Sequence, residues 1–221
     1  MGFFSSMFGG KKESDELKGA FEAINRILSD EKYQIELLPD LVKDMILKGE
    51  SYDRNPLGSG PFGFSETNAI PVNGPLGELA YLSRLETLSG QRILFHRLGS
   101  MNYKDKLGET KTVDAYEAVT FDGKEWFIFY LDFYHPTRSR EYPQGFKETS
   151  QVPQFTGFNK SSKNFPYEFS EMKANEQTSG LSFAYIALSK VMPQINEKIF
   201  TRPDGHVLRL SEAKKKLSFI N

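Results

Sequence analysis

The chain contains no cysteine. That removes disulfides, thiol nucleophiles and cysteine-ligated zinc or iron–sulfur centres, although it does not by itself fix the compartment. Histidine is scarce, with three in all, so a site assembled from several imidazoles is not expected. A long apolar run is missing too: nothing approaches the roughly 18–20 residues of a membrane-spanning helix. The opening MGFFSSMFGGKK lacks the basic region and the apolar length of a secretory signal, which points to a cytoplasmic protein. An excess of one charge is also absent, with 28 Lys and Arg against 29 Asp and Glu and a net charge of -1. No global field draws the chain to nucleic acid or to an anionic membrane. There is no H-E-x-x-H, no G-x-S-x-G and no Walker A lysine, so no metal and no cofactor is expected.

Aromatic bulk is what the sequence does have: 19 Phe and 10 Tyr in 221 residues, within a hydrophobic fraction of 38%. Such side chains bury large areas, so a modest apolar fraction still builds a core. Residues 1–13 read as a flexible apolar tail, and residues 14–221 as a single α+β domain whose residues 14–49 form a helical N-terminal appendage.

Helical spacing places Leu17, Phe21, Ile24, Ile27 and Leu28 on one face, with Ser14 as N-cap and Asp15 and Glu16 at the positive end of the dipole. A second helix is predicted from about Pro39, with Leu41, Val42, Met45 and Ile46 on one stripe and Gly49 past its end. NGPLGELAYLSRLETLSG predicts a third, with Pro75 at its first position and Gly90 as its C-cap. QRILFHRL, residues 91–98, reads as a strand. VDAYEAVTF and KEWFIFYLDFY then flank Asp122–Gly123, which predicts a type I′ hairpin pairing Val119 with Trp126, Glu117 with Ile128 and Val113 with Asp132. Its second strand is apolar on both faces and is expected at the centre of the sheet, covered on both sides. Residues 135–175 read as irregular. Leu181, Tyr185, Leu188, Met192, Ile195 and Ile199 predict a long helix kinked at Pro193, followed by an RPDG turn and an HVLRL strand. The expected fold is α+β: a mainly antiparallel sheet with a central hairpin over about 113–134, two N-terminal amphipathic helices and a long C-terminal helix.

PLGSGPFGF places Gly58, Gly60 and Gly63 at the G-x-G-x-x-G spacing of a dinucleotide-binding turn. That turn needs a strand before it and a helix opening among its glycines. SYDRNPL before it is not a buried strand, FSETNAIPVNGP after it is not the helix, and Pro61 removes a donor. The stretch is read as a loop. NGPLGE does open a helix, and its glycine and proline are read as caps rather than as an anion site.

His96 shares an apolar strand face with Leu94 and Leu98, the pattern of a hydrogen-bonded core histidine. Arg97, between Ile93 and Phe95, requires an edge position or a partner. The densest polar group is DFYHPTRSREYP at a strand exit, where loops on a rigid scaffold often carry function. There His135 could act as acid or base with Asp132 orienting it, while Arg138, Arg140 and Arg97 could hold a phosphate or carboxylate. Lys160 and Lys163 interleave with Phe158 and Phe165 in the manner of single-strand binders, but the neutral charge favours a loop anchored by its aromatics. Met1-Gly2 with Ser6 matches a myristoylation pattern, and one acyl chain through residues 1–13 would give only weak, reversible membrane contact.

The function expected from this pattern is binding of another protein, without enzymatic activity, with Phe3, Phe4, Met7 and Phe8 of the tail contacting the partner. The alternatives are a hydrolase or transferase acting on a phosphorylated or carboxylate substrate at residues 132–141, and a peripheral membrane protein held by the tail.

Overall fold

The periodicity of the N-terminal third does produce helices, but more of them than their apolar spacing suggests. The computed structural model describes residues 22–151, 155–158, 165, 199–201 and 207–209. Four α-helices cluster within residues 22–82: α1 over 22–29, α2 (Glu31–Glu36), α3 (Asp40–Leu47) and α4 (Gly74–Leu82). The chain leaves α1 at Asp30, whose carboxylate accepts the Tyr33 amide at 3.0 Å and caps a new helix, α2. Glu31 adds a negative charge to its first turn. α4 is half as long as its sequence pattern suggests. It ends at Ser83, and Leu85–Thr87 becomes the short strand β2, paired antiparallel with β6 (Phe146–Glu148).

The main sheet has the order β1-β5-β4-β3-β7, with β1 Ile70–Pro71, β3 Ile93–Lys104, β4 Thr110–Thr120, β5 Trp126–Asp132 and β7 Gly157–Phe158. Its inner pairs are antiparallel, but β1 runs parallel to β5 and β7 parallel to β3. The sheet is therefore mixed, not mainly antiparallel, and among the described residues four α-helices lie near the N-terminus where two amphipathic ones were expected. The predicted helix from Leu181 lies outside the described residues, except that its last member, Ile199, opens a strand: β8 (Ile199–Thr201) pairs antiparallel with β9 (Val207–Arg209). Pro71 suits β1, because an edge strand can do without one donor. Gly157 suits β7, because a Cβ there would run into the Phe95 carbonyl.

The β4–β5 register places Val119 opposite Trp126 and Glu117 opposite Ile128. The turn differs from expectation. Of its residues only Gly123 has positive φ, at 74°, whereas a type I′ turn needs two such residues. A wider loop forms instead, closed by Thr120 N–H to the Glu125 carbonyl at 3.0 Å and by Gly123 N–H to the Thr120 carbonyl at 2.7 Å. The strand covered on both faces is β4, buried from Val113 through Thr120, while Ile128 of β5 is exposed. On one face α1 and α4 contribute Ile24, Ile27, Leu28, Leu79 and Leu82 against Phe95, Tyr116, Phe129 and Leu131. On the other, Ala69 packs with Tyr103, Val113 and Tyr130.

The helices are tied together by polar contacts at their ends. Asn73, the N-cap of α4, donates to Gln34 Oε1 at 2.6 Å and to the Glu31 carbonyl at 3.2 Å. Arg84 donates through Nε and Nη2 to the Leu28 carbonyl at the end of α1, at 3.2 and 2.7 Å.

Candidate functional site

The exit of β5 is built by the chain running on beside β1. Val72 N–H donates to the Asp132 carbonyl at 2.8 Å, His135 N–H to the Val72 carbonyl at 3.3 Å, and Ser139 N–H to the Pro71 carbonyl at 2.8 Å. This brings Asp132 and His135 together: Nε2 of the imidazole is 3.3 Å from Asp132 Oδ2, an ion-pair contact without hydrogen-bond alignment. Nδ1–H donates to the Glu50 carbonyl at 2.6 Å, and Tyr52 meets the ring edge-on at 4.6 Å. The residue is only 4% exposed. Burial opposes its charge, yet the Asp132 carboxylate and the Glu50 carbonyl outweigh burial and hold its pKa above the ordinary 6.5. The arrangement places the imidazole between two acceptors, favours its charged form and pins residue 50 to the strand exit.

A pH dependence follows. With its pKa raised by folding, His135 contributes stability that is complete below about pH 6.5 and is lost as pH rises through the folded-state value. Asp132→Asn is expected to move the imidazole titration, followed by NMR, to lower pH and to flatten the stability profile above pH 6.5. A titration that stays in place would refute the pairing.

The arginines of this loop meet carboxylates. Arg138 donates its amide and Nε to Glu31, at 3.2 and 3.1 Å, and Arg140 Nη1 donates to Glu31 Oε1 at 2.8 Å. Glu148 accepts from Arg84 at 2.6 Å and from the Tyr142 hydroxyl at 2.8 Å, and Arg54 pairs with Glu141 at 2.6 Å. Burial, together with the Glu148 contact, pushes the Tyr142 hydroxyl up to about 12. The network clasps α2 to the loop. Glu31 thus occupies Arg138 and one nitrogen of the more exposed Arg140.

Arg97 lies elsewhere, on the sheet face beneath α4. Its fork grips Asp114, Nε to Oδ2 at 2.6 Å and Nη2 to Oδ1 at 2.8 Å, and Ser100 Oγ donates to Asp114 Oδ1 at 2.8 Å. Beside this pair is Glu78 of α4. It is 0% exposed. Oε2 accepts from the Tyr116 hydroxyl at 2.8 Å, and Oε1 has no hydrogen-bond partner among the described residues. Burial and the neighbouring Asp114 charge raise its pKa well above 4.5, against the opposing effects of Tyr116 and Arg97. The signal for its burial was in GPLGELAYL, which is apolar nearly all round and leaves a lone carboxylate no wet side.

His96 faces the opposite side of the sheet, where Nε2–H donates to Glu117 Oε2 at 2.9 Å and Phe165 stacks on the ring at 4.3 Å. Thus the structure joins His135 to Asp132 and Arg138 to Arg140, while His96 and Arg97 each have a partner of their own. In the glycine loop Gly58 N–H donates to the Asn55 carbonyl, Gly63 N–H to the Asn68 carbonyl, and Asn68 Nδ2 to the Gly60 carbonyl, so the loop closes on itself. Phe3, Phe4, Met7 and Phe8 lie outside the described residues, as do Lys160 and Lys163. Among the described residues no helix is long and apolar enough to cross a membrane, and no group of three or more His, Asp or Glu could hold a metal ion.

One further surface stands out. α3 seats only Ile46 fully, while Leu41, 75% exposed, and Met45 lie one turn apart on its outer side. Leu37 before the helix and Leu47 at its end are exposed as well. No protein-family model, no curated protein and no solved structure matches this chain.

Proposed function

We propose that the chain is a protein-binding domain whose contact surface is the outer face of α3, and that its partner presents an uncharged apolar stripe. The observation that carries this reading is the exposure of Leu41 and Met45 at helical spacing, with Leu37 and Leu47 alongside. A cluster of exposed large aliphatic side chains within about ten residues is characteristic of an interface. The charges around it favour protein over lipid or nucleic acid. Lys48 pairs with Asp44 at 2.6 Å and Lys43 with Asp40 at 3.7 Å, so both lysines at α3 are neutralised locally and offer little field to an anion. The apolar tail residues Phe3, Phe4, Met7 and Phe8 extend the same proposal.

A photo-crosslinking residue placed at position 41 of the full chain tests it in cells. The expected result is one discrete crosslinked band, lost when Met45→Glu is added, while thermal stability is unchanged because neither position is buried. A band of twice the chain's mass would identify the partner as a second copy. Monomer alone, or a band indifferent to Met45→Glu, would overturn the proposal.

A further inference from the structure

Among the described residues Glu78 is the one carboxyl with no exposure at all, and its surroundings are unusual. The groups that face it come from three strands, Tyr116 and Asp114 from β4, Arg97 from β3 and Asp132 from β5, with Tyr134 just beyond, while β7, which also packs against α4, carries no titratable side chain. Two of these are carboxylates. The single guanidinium is already held by both Asp114 oxygens. A carboxylate at Glu78 would therefore sit in the dry interior with one hydrogen bond from a tyrosine and no cation of its own, an arrangement a buried charge does not tolerate. The neutral acid needs far less: one hydrogen bond and a small dry space.

α4 is also where the N-terminal helices attach. A Cβ at Gly74 would meet Leu38 and Ile46 at 2.9 and 3.0 Å, so α4 packs directly against the α2–α3 corner. The Asn73–Gln34 contact ties the same helix start to α2. What loosens α4 therefore loosens the helical layer of the fold.

We propose that Glu78 is a proton-operated latch: α4 seats on the sheet only with this carboxyl neutral, and rising pH drives α4 open by ionising it. The inference is independent of what α3 binds. The direction follows from linkage. Opening exposes Glu78 to water, where it ionises near 4.5, so above that pH the open form gains and the closed form loses. Until the carboxyl of the seated helix itself ionises, the opening equilibrium rises about tenfold per pH unit.

The test is hydrogen exchange of the full chain, wild type against Glu78→Gln, read in peptides covering residues 74–82 at pH 6 and pH 8. Gln keeps the acceptor for Tyr116 and cannot ionise. Taking the ratio of the two rates at each pH cancels the intrinsic pH dependence of exchange and every other titrating group. That ratio, wild type over variant, is expected to be higher at pH 8 than at pH 6, by as much as about tenfold per pH unit while the seated carboxyl stays neutral. An equal ratio at both values overturns the latch. Should Glu78→Gln fail to fold, infrared spectroscopy of the wild type decides. A protonated carboxyl band that persists above the pH at which the exposed carboxyls have ionised supports the latch, and a band that disappears together with theirs overturns it.

Discussion

Asp114→Ala is expected to lower folding stability by about 3 kcal/mol, measured by urea denaturation at pH 6. The loss has two parts. Arg97 would keep its charge in a partly buried position without its bidentate partner, and the Ser100 hydroxyl would lose its acceptor. The carboxylate is nearly enclosed, so its attraction to the guanidinium is weakly screened, and cutting one side of such a pair costs more than deleting both. The double variant Arg97→Met with Asp114→Ala should therefore recover part of the loss, and single losses that simply add would show that the two residues do not act as a pair. A second signature separates this pair from an ordinary one. Asp114 is among the charges that keep Glu78 neutral, and Arg97 opposes it. Removing Asp114 frees the guanidinium for Glu78 and lowers the pH at which Glu78 ionises. The deficit of Asp114→Ala should shrink as pH rises from 6 to 9, whereas a loss unconnected with Glu78 would leave it independent of pH.

These buried ions also explain what the sequence could and could not reveal. VDAYEAV carries two carboxylates, Asp114 and Glu117, and the sequence did not mark it as the covered strand. It is nevertheless the strand buried on both faces, since Asp114 meets Arg97 and Glu117 meets His96 across the β3–β4 pair. Pairing of this kind depends on register between distant segments, which no local pattern encodes. KEWFIFYLDFY, apolar throughout, was the natural candidate for the centre, yet it has only two-residue β1 on its far side and an exposed Ile128. The hairpin register was legible, because Asp122–Gly123 and the alternation on both sides agree. The parallel edges were not, because Ile70–Pro71 and Gly157–Phe158 are too short to show a period. α2 was missed because the predicted stripe ended at Leu28, although the capping carboxylate of Asp30 and the acidic Glu31 were an available signal for a new helix. At the strand exit the proximity of Asp132 and His135 followed from sequence. The engagement of Arg138 and Arg140 did not, because Glu31 lies more than a hundred residues earlier, at separations of 107 and 109.

Phe129→Ala should have the largest effect, a loss of about 4 kcal/mol in the same assay. Phe129 is fully buried at the middle of β5, with Phe64 at 5.3 Å, Phe127 at 5.9 Å and Phe146 at 5.2 Å between ring centres. Truncation removes a large apolar surface and leaves a cavity that three aromatic neighbours cannot fill without leaving their own contacts. Those neighbours come from three places: the glycine loop, the same strand and β6. The cluster is therefore the physical reason the glycine loop lies where it does, and it gives that loop a job unrelated to phosphate. Tyr130 N–H donating to the Gly63 carbonyl at 2.9 Å adds a backbone link between the loop and the strand. Phe129→Ala should accordingly raise protease sensitivity within residues 56–64 at denaturant concentrations too low to unfold the chain. A loop whose cleavage rate is unchanged in the variant would mean that its own hydrogen bonds, and not the aromatic stack, hold it in place.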